Sequence, residues 1–280
     1  MINMIKSDLY RIFKGKAIYI AMLALAVIIG ASLYELTPGY IGVNGALVQD
    51  ETYFESENPE GNEEILQTES ISDTREKLKA YPYALDKGIA ASNANLYYIF
   101  IVVVAVIIST DLSKSTVKNT LSSAISRSKY YGSKLICCLL VCTAVIIINN
   151  YGVYFINILV NGKAFSSSLG EMTKVTLYQL PLMYGIISLL VCISAVVRKN
   201  SAFNGISIPL LLVCQLLFTA IIKLLRVKST LIQYEYQTAL SMLARNPANE
   251  YLLKCTLLGM IYIVIFNLIG YYSFKRADIK

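Results

Sequence analysis

The chain has 280 residues, of which 56% are hydrophobic and only 15% charged, with a mean hydropathy of +0.56. A soluble domain carries about 25% charged residues, so this composition excludes an ordinary globular surface. His and Trp are absent, and the net charge of +7 is spread along the chain. The lack of His removes the commonest general base and metal ligand, and no single basic patch exists of the kind nucleic acid requires.

Residues 1–16 come first, with four basic residues and one acidic. At 100° per residue Ile2, Ile5, Leu9, Ile12 and Phe13 fall within about 100° of arc, with Arg11 and Lys14 opposite. This pattern predicts an amphipathic helix lying in the membrane interface.

Six windows then carry no charge at all: 17–34, 88–110, 135–162, 175–197, 200–222 and 255–274. A helix crosses about 30 Å of hydrocarbon with roughly 20 apolar residues. A charge at the bilayer centre costs about 3 kcal/mol or more, which explains the emptiness. The expected fold is an all-α polytopic membrane protein with six transmembrane helices in a single domain, residues 1–280. The first window is longer than the 7–15 residues typical of a signal-peptide core, so an uncleaved helix is expected.

The segments between the windows set the orientation. Residues 111–134 hold five basic residues and one acidic, Arg198 and Lys199 form a two-residue connection, and 275–280 hold three basic and one acidic. Placing these and the N-terminus inside satisfies the positive-inside rule, with both termini cytoplasmic. The exterior segment 35–87 then has 12 acidic and 4 basic residues. Within it, 63–79 reads as a helix or as a solvated loop. The second exterior segment, 223–254, has five basic and two acidic residues and fits the rule poorly. Its apolar stretch 230–244, ended by Asn246-Pro247, predicts two short helices dipping into or lying on the outer leaflet. Such helices satisfy their own backbone at membrane depth.

The polar residues within the windows are amides and hydroxyls. Asn149, Asn150 and Asn157 either bond across helices or line a substrate path. The six cysteines, Cys137, Cys138, Cys142, Cys192, Cys214 and Cys255, have no metal-ligand spacing and serve as small apolar residues. No intramembrane acid or base supports ion coupling. No Gly-x-x-x-x-Gly-Lys loop or His-Glu-x-x-His pair supplies enzyme chemistry. A transporter built on this chain therefore needs its energy from another subunit. The competing expectations are a membrane receptor or an assembly scaffold that does not transport.

Only 111–134 is large enough to dock such a subunit. Val117, Leu121 and Ile125 recur at i, i+4 and i+8, an apolar edge on a short helix of the kind that enters a partner's groove. The alternative is a basic loop on anionic lipid.

The run Asp111, Thr116-Val117-Lys118-Asn119, Ser126-Arg127, Tyr130-Tyr131 and Ser133-Lys134-Leu135-Ile136 resembles the first cytoplasmic loop of ABC-2 type ABC transporter permeases. Ile5–Lys14 is similar to that family's elbow helix, and 188–201 to its tight hairpin between spans four and five. Ser115 stands where the family commonly has Gly, and as an N-cap it can still start a helix. The resemblance implies a bacterial plasma-membrane exporter subunit. Two copies of a separate ATP-binding subunit would hold the ATP and Mg, beside a second permease, identical or related. This chain itself would bind no cofactor and perform no catalysis. It implies ATPase-coupling roles for Asp111, Thr116, Val117, Lys118, Asn119, Leu121, Ile125, Arg127 and Lys129. It also implies a second cytoplasmic contact at Arg198, Lys199 and Asn200, and short re-entrant helices before the last span. Compact members include bacteriocin-immunity and peptide-export permeases. With the acidic 35–87 segment, which concentrates cations, this points to a cationic or amphipathic peptide as substrate; the alternatives are a lipid or drug exporter subunit, with the acidic segment serving only solubility and topology.

Overall fold

The computed structural model describes residues 2–35, 93–113, 117, 125–161, 163, 166–224, 229–244 and 247–276. Across these the chain is helix and connecting turn, with no strand. The elements are α1 (Ile2–Lys14), α2 (Lys16–Glu35), α3 (Tyr97–Val104), α4 (Thr110–Ser113), α5 (Arg127–Asn161), α6 (Leu169–Val197), α7 (Asn200–Leu224), α8 (Tyr236–Leu243) and α9 (Asn249–Lys275). A 3-10 turn, Asn93–Leu96, leads into α3, and a second, Ser229–Tyr234, precedes α8. A π-helical turn, Ala105–Ser109, joins α3 to α4.

Three helices are long and apolar enough to cross a membrane, and the α7 pair, bent by 53°, makes a fourth if taken as one span. Over the described residues, Lys16–Val27 and Tyr97–Ser113 are apolar but shorter. The chain is thus a helical membrane protein. Segment 36–92, including the expected helix at 63–79, lies outside the described residues.

Local sequence explains the helix ends. Ser168 caps α6, its Oγ accepting from the Glu171 amide at 3.2 Å. Ser-x-x-Glu is the spacing of a capping box. Arg198 ends α6 in the left-handed region at φ 59° and returns its amide to the Ser194 carbonyl. A two-residue connection, Arg198-Lys199, then starts α7. Gly15 separates α1 from α2 and donates its amide to the Arg11 carbonyl at 2.9 Å.

Helix α6 is the axis of the bundle, buried from Met172 to Ala195 on its inner face. Helix α9 runs against it but buries only Cys255, Gly259, Gly270 and Phe274. Its other face exposes Leu257, Met260, Ile261, Val264 and Leu268. In water such a face would be an aggregation liability; in lipid it is the outer wall.

Glycine sets the α6–α9 approach. A Cβ at Gly259 would lie 2.5 Å from the Pro181 carbonyl carbon, and one at Gly270 2.5 Å from the Tyr131 hydroxyl. Small residues let membrane helices meet where no hydrophobic force drives them together.

Candidate functional site

The strongest chemistry lies at the bundle end that holds the 111–134 loop. Lys134 is 4% exposed. Its Nζ donates to Asp8 Oδ1 at 2.7 Å and to Asp111 Oδ2 at 2.6 Å. Arg11 Nη1 donates to Asp111 Oδ1. Arg11 Nη2 lies 3.5 Å from Asp8 Oδ1. Two cations and two anions close into a neutral quartet.

Three elements supply it. Asp8 and Arg11 sit one turn apart on α1, at the i, i+3 spacing that brings side chains together. Asp111 comes from α4, just after the π turn. That turn has an i to i+5 bond, from the Thr110 amide to the Ala105 carbonyl. Such a register frees backbone carbonyls, and Arg11 Nη2 takes two of them, Val106 O at 2.8 Å and Ile107 O at 3.0 Å. Lys134 comes from the second turn of α5. It also lies over the Tyr130 ring at 5.3 Å, and that ring stacks on Phe274 of α9 at 5.4 Å.

Burial pushes the Asp8 carboxyl above its ordinary range, and Lys134 only partly pulls it back. Burial works against the Arg11 charge, but Asp111 and Asp8 outweigh it and hold the guanidinium above its ordinary value.

Two of the basic residues expected to contact a partner converge on the end of α9. Arg127 Nη1 donates to Lys275 O at 2.5 Å, and Arg198 Nη2 donates to Ser273 O at 3.2 Å. A helix C-terminus leaves its last carbonyls unsatisfied and carries partial negative charge. Both arginines therefore fasten α9 to the connections before α5 and α7. Lys129 and Lys199 are exposed, and Asn200 is half-buried. Val117 is buried and Ile125 half-buried against the core. Thr116, Lys118, Asn119 and Leu121 lie outside the described residues.

The intramembrane amides gather elsewhere. Asn93 Nδ2 donates to Asn150 Oδ1 at 2.9 Å and to Gln179 Oε1 at 2.8 Å. Asn149 Nδ2 donates to Asn93 Oδ1 at 2.9 Å, and Asn150 Nδ2 to Thr176 Oγ1 at 2.9 Å. Gln179 Nε2 donates to the Leu240 carbonyl at 2.9 Å. All four amides are buried. They tie the start of α3, α5, α6 and α8 together. Asn157 stands apart, donating to Ser166 Oγ at 2.8 Å across the α5–α6 connection.

Sequence reasoning missed three features. Asp8 counts there only as a segment charge, Arg11 as the polar face of the amphipathic helix and Lys134 as one residue of the loop run, with no pairing among them expected. Asn93 lies near a window edge and draws no notice. Glu235 counts only as a loop charge, yet it is 3% exposed. No sequence signal marks it, because Glu is not among the residues favoured at a helix N-cap.

A family model described as "Protein of unknown function (DUF2705)" matches residues 77–280. The chain belongs to this family. Among curated proteins nothing matches. The DUF2705 match takes in Asp111, Lys134, the amide cluster and Glu235, and leaves α1 outside it. The quartet therefore joins two residues within the DUF2705 region to two residues that precede it.

Proposed function

We propose that the chain is the membrane-spanning subunit of an ATP-driven exporter, of the ABC-2 permease type. Six spans, both termini cytoplasmic, α1 as an interfacial elbow and residues 229–243 as a short re-entrant pair describe its place in a bacterial plasma membrane. The 111–134 loop docks a separate ATP-binding subunit, present in two copies, which supplies ATP and Mg. A second permease, identical or related, completes the path, and the cargo is a cationic or amphipathic peptide.

One observation carries this reading. Asp111 and Lys134 stand at the two ends of the loop, and the quartet holds both against α1. A displacement of the loop is thereby delivered to α1, α4 and α5 together. A loop that only balanced topology would need no buried ionic anchor, since burying ions is costly unless they are paired. The family resemblance of the loop and the absence of any nucleotide-binding motif in this chain support the same reading.

Co-expression with an ATP-binding subunit, sought among the genes neighbouring this one, tests the proposal. The full chain should co-purify with that subunit. Thr116→Ala combined with Lys118→Glu and Lys129→Glu should abolish the association. Binding that survives all three changes would overturn the docking assignment, and failure of the wild type to bind would favour a receptor or scaffold.

A further inference from the structure

Glu235 sits where a charge is least expected. Its Oε2 caps α8, accepting from the Thr238 amide at 2.9 Å and from Thr238 Oγ1 at 3.0 Å. Its Oε1 is buried and, among the described residues, has no partner. The hydroxyl of Tyr236, a residue only 8% exposed, is likewise buried without a partner. Among the described residues no Lys or Arg pairs with this carboxylate.

The pair lies alongside the spans rather than beyond their ends. Helix α8 is held through Leu240 by Gln179. Gln179 is ten residues into α6, about 15 Å from its start at 1.5 Å per residue. Asn150, in the same amide cluster, is sixteen residues along α5 from Lys134, or about 24 Å. The carboxylate therefore faces the bundle interior, far from the quartet. An ionisable group inside a membrane bundle is costly and marks a ligand path or a pairing site. Here the cap uses one oxygen of Glu235 and leaves the other as an acceptor, and the following residue, Tyr236, carries a second buried oxygen without a partner among the described residues.

We propose that Glu235 and Tyr236 form an acceptor site for the ammonium or guanidinium group of a cationic amphiphile. The site is closed in this structure, and the 229–243 segment is the part that must shift to admit a ligand. The choice of a cation follows from the chemistry on offer: an acid oxygen and a phenol oxygen, both buried and without a partner among the described residues. Identifying that amphiphile as transported cargo rests on the exporter reading; the binding itself does not.

The test uses the full chain in zwitterionic lipid nanodiscs, with thermal unfolding followed under dodecylammonium below its micellar concentration or dodecanol below its solubility limit. Ligand that binds only the folded state raises the midpoint. Dodecylammonium should raise it and dodecanol should not. Glu235→Gln keeps an oxygen to cap Thr238 and should weaken the dodecylammonium response about tenfold, as expected for loss of a charge-assisted contact. Tyr236→Phe should weaken it about threefold, the loss of one neutral hydrogen bond. Equal responses to the two ligands, or an unchanged response in Glu235→Gln, would overturn the site. If Glu235→Gln fails to fold, an undiminished response in Tyr236→Phe overturns it instead. Because no ATP-binding subunit is present, failure of this site and failure of the exporter reading are separate results.

Discussion

Lys134 Nζ lies 2.7 Å from Asp8 Oδ1, joining residues 126 positions apart in a buried ion pair. Asp111 shares the same ammonium. The relationship gives α1 a fixed seat against α5 and ties Asp111 and Lys134, at the two ends of the segment, to one anchor.

Removing that ammonium leaves two buried carboxylates with only the Arg11 guanidinium to balance them. Lys134→Met should therefore cost about 3–5 kcal/mol, the range for breaking a buried ion pair from one side. The denaturation midpoint of the chain in nanodiscs measures it. Replacing Lys129, which is exposed, by Met should leave the midpoint essentially unchanged.

Asp8 responds differently. Burial holds its carboxyl above the ordinary value, so the folded state binds this proton more tightly than the unfolded chain. Its contribution to stability is full below the ordinary carboxylate range and falls as pH rises through the raised value. Asp8→Asn keeps an oxygen for Lys134 and removes the titration. It should cost only about 1 kcal/mol at neutral pH, as for one hydrogen bond weakened rather than lost. It should also flatten the stability profile across the acid range. A midpoint that rises with pH equally in both proteins would contradict this.

The α6–α9 contact predicts a steric penalty. Gly259→Ala places a methyl group 2.5 Å from backbone that cannot rotate away. The loss should be about 1–3 kcal/mol, typical of overpacking, read as a lowered midpoint. Ala at Gly205 meets nothing within 4 Å and should be tolerated.

Asn150 touches Asn93, Asn149 and Thr176 at once. Asn150→Leu strands their polar atoms and should cost about 1–3 kcal/mol. The changes Asn150→Leu and Asn93→Leu together should cost less than their sum, because they break one network. A double-mutant cycle on the unfolding midpoint reads the coupling.

Much of the fold is legible from where charges are missing. Every charge-free window is occupied by helix in its described part, because hydrocarbon tolerates neither ions nor open backbone. The ends are less legible. Counting charges stops the fifth helix at Leu135, but α5 begins at Arg127. Lys134 is paired, so its charge does not break the helix. The start of α6 at Leu169 could be read from Ser168-x-x-Glu171. The π turn could not, since its freed carbonyls are answered by Arg11 from a hundred residues away. Asp111 is visible as a loop residue, but the partners that hold it, Arg11 on α1 and Lys134 on α5, are brought to it only by tertiary packing. Glu235 disappears into a segment average, although its surroundings make it the one acid of that segment that is buried.

The central claim is that the 111–134 loop, anchored by Asp8, Arg11, Asp111 and Lys134, is the seat of an ATP-binding subunit. The most direct measurement is the affinity of that subunit for the full chain in nanodiscs, wild type against Lys118→Glu with Lys129→Glu. The account predicts firm binding by the wild type and at least about a tenfold loss in the variant, equivalent to 1.4 kcal/mol. Equal affinity of the two proteins, or no binding by either, would contradict it.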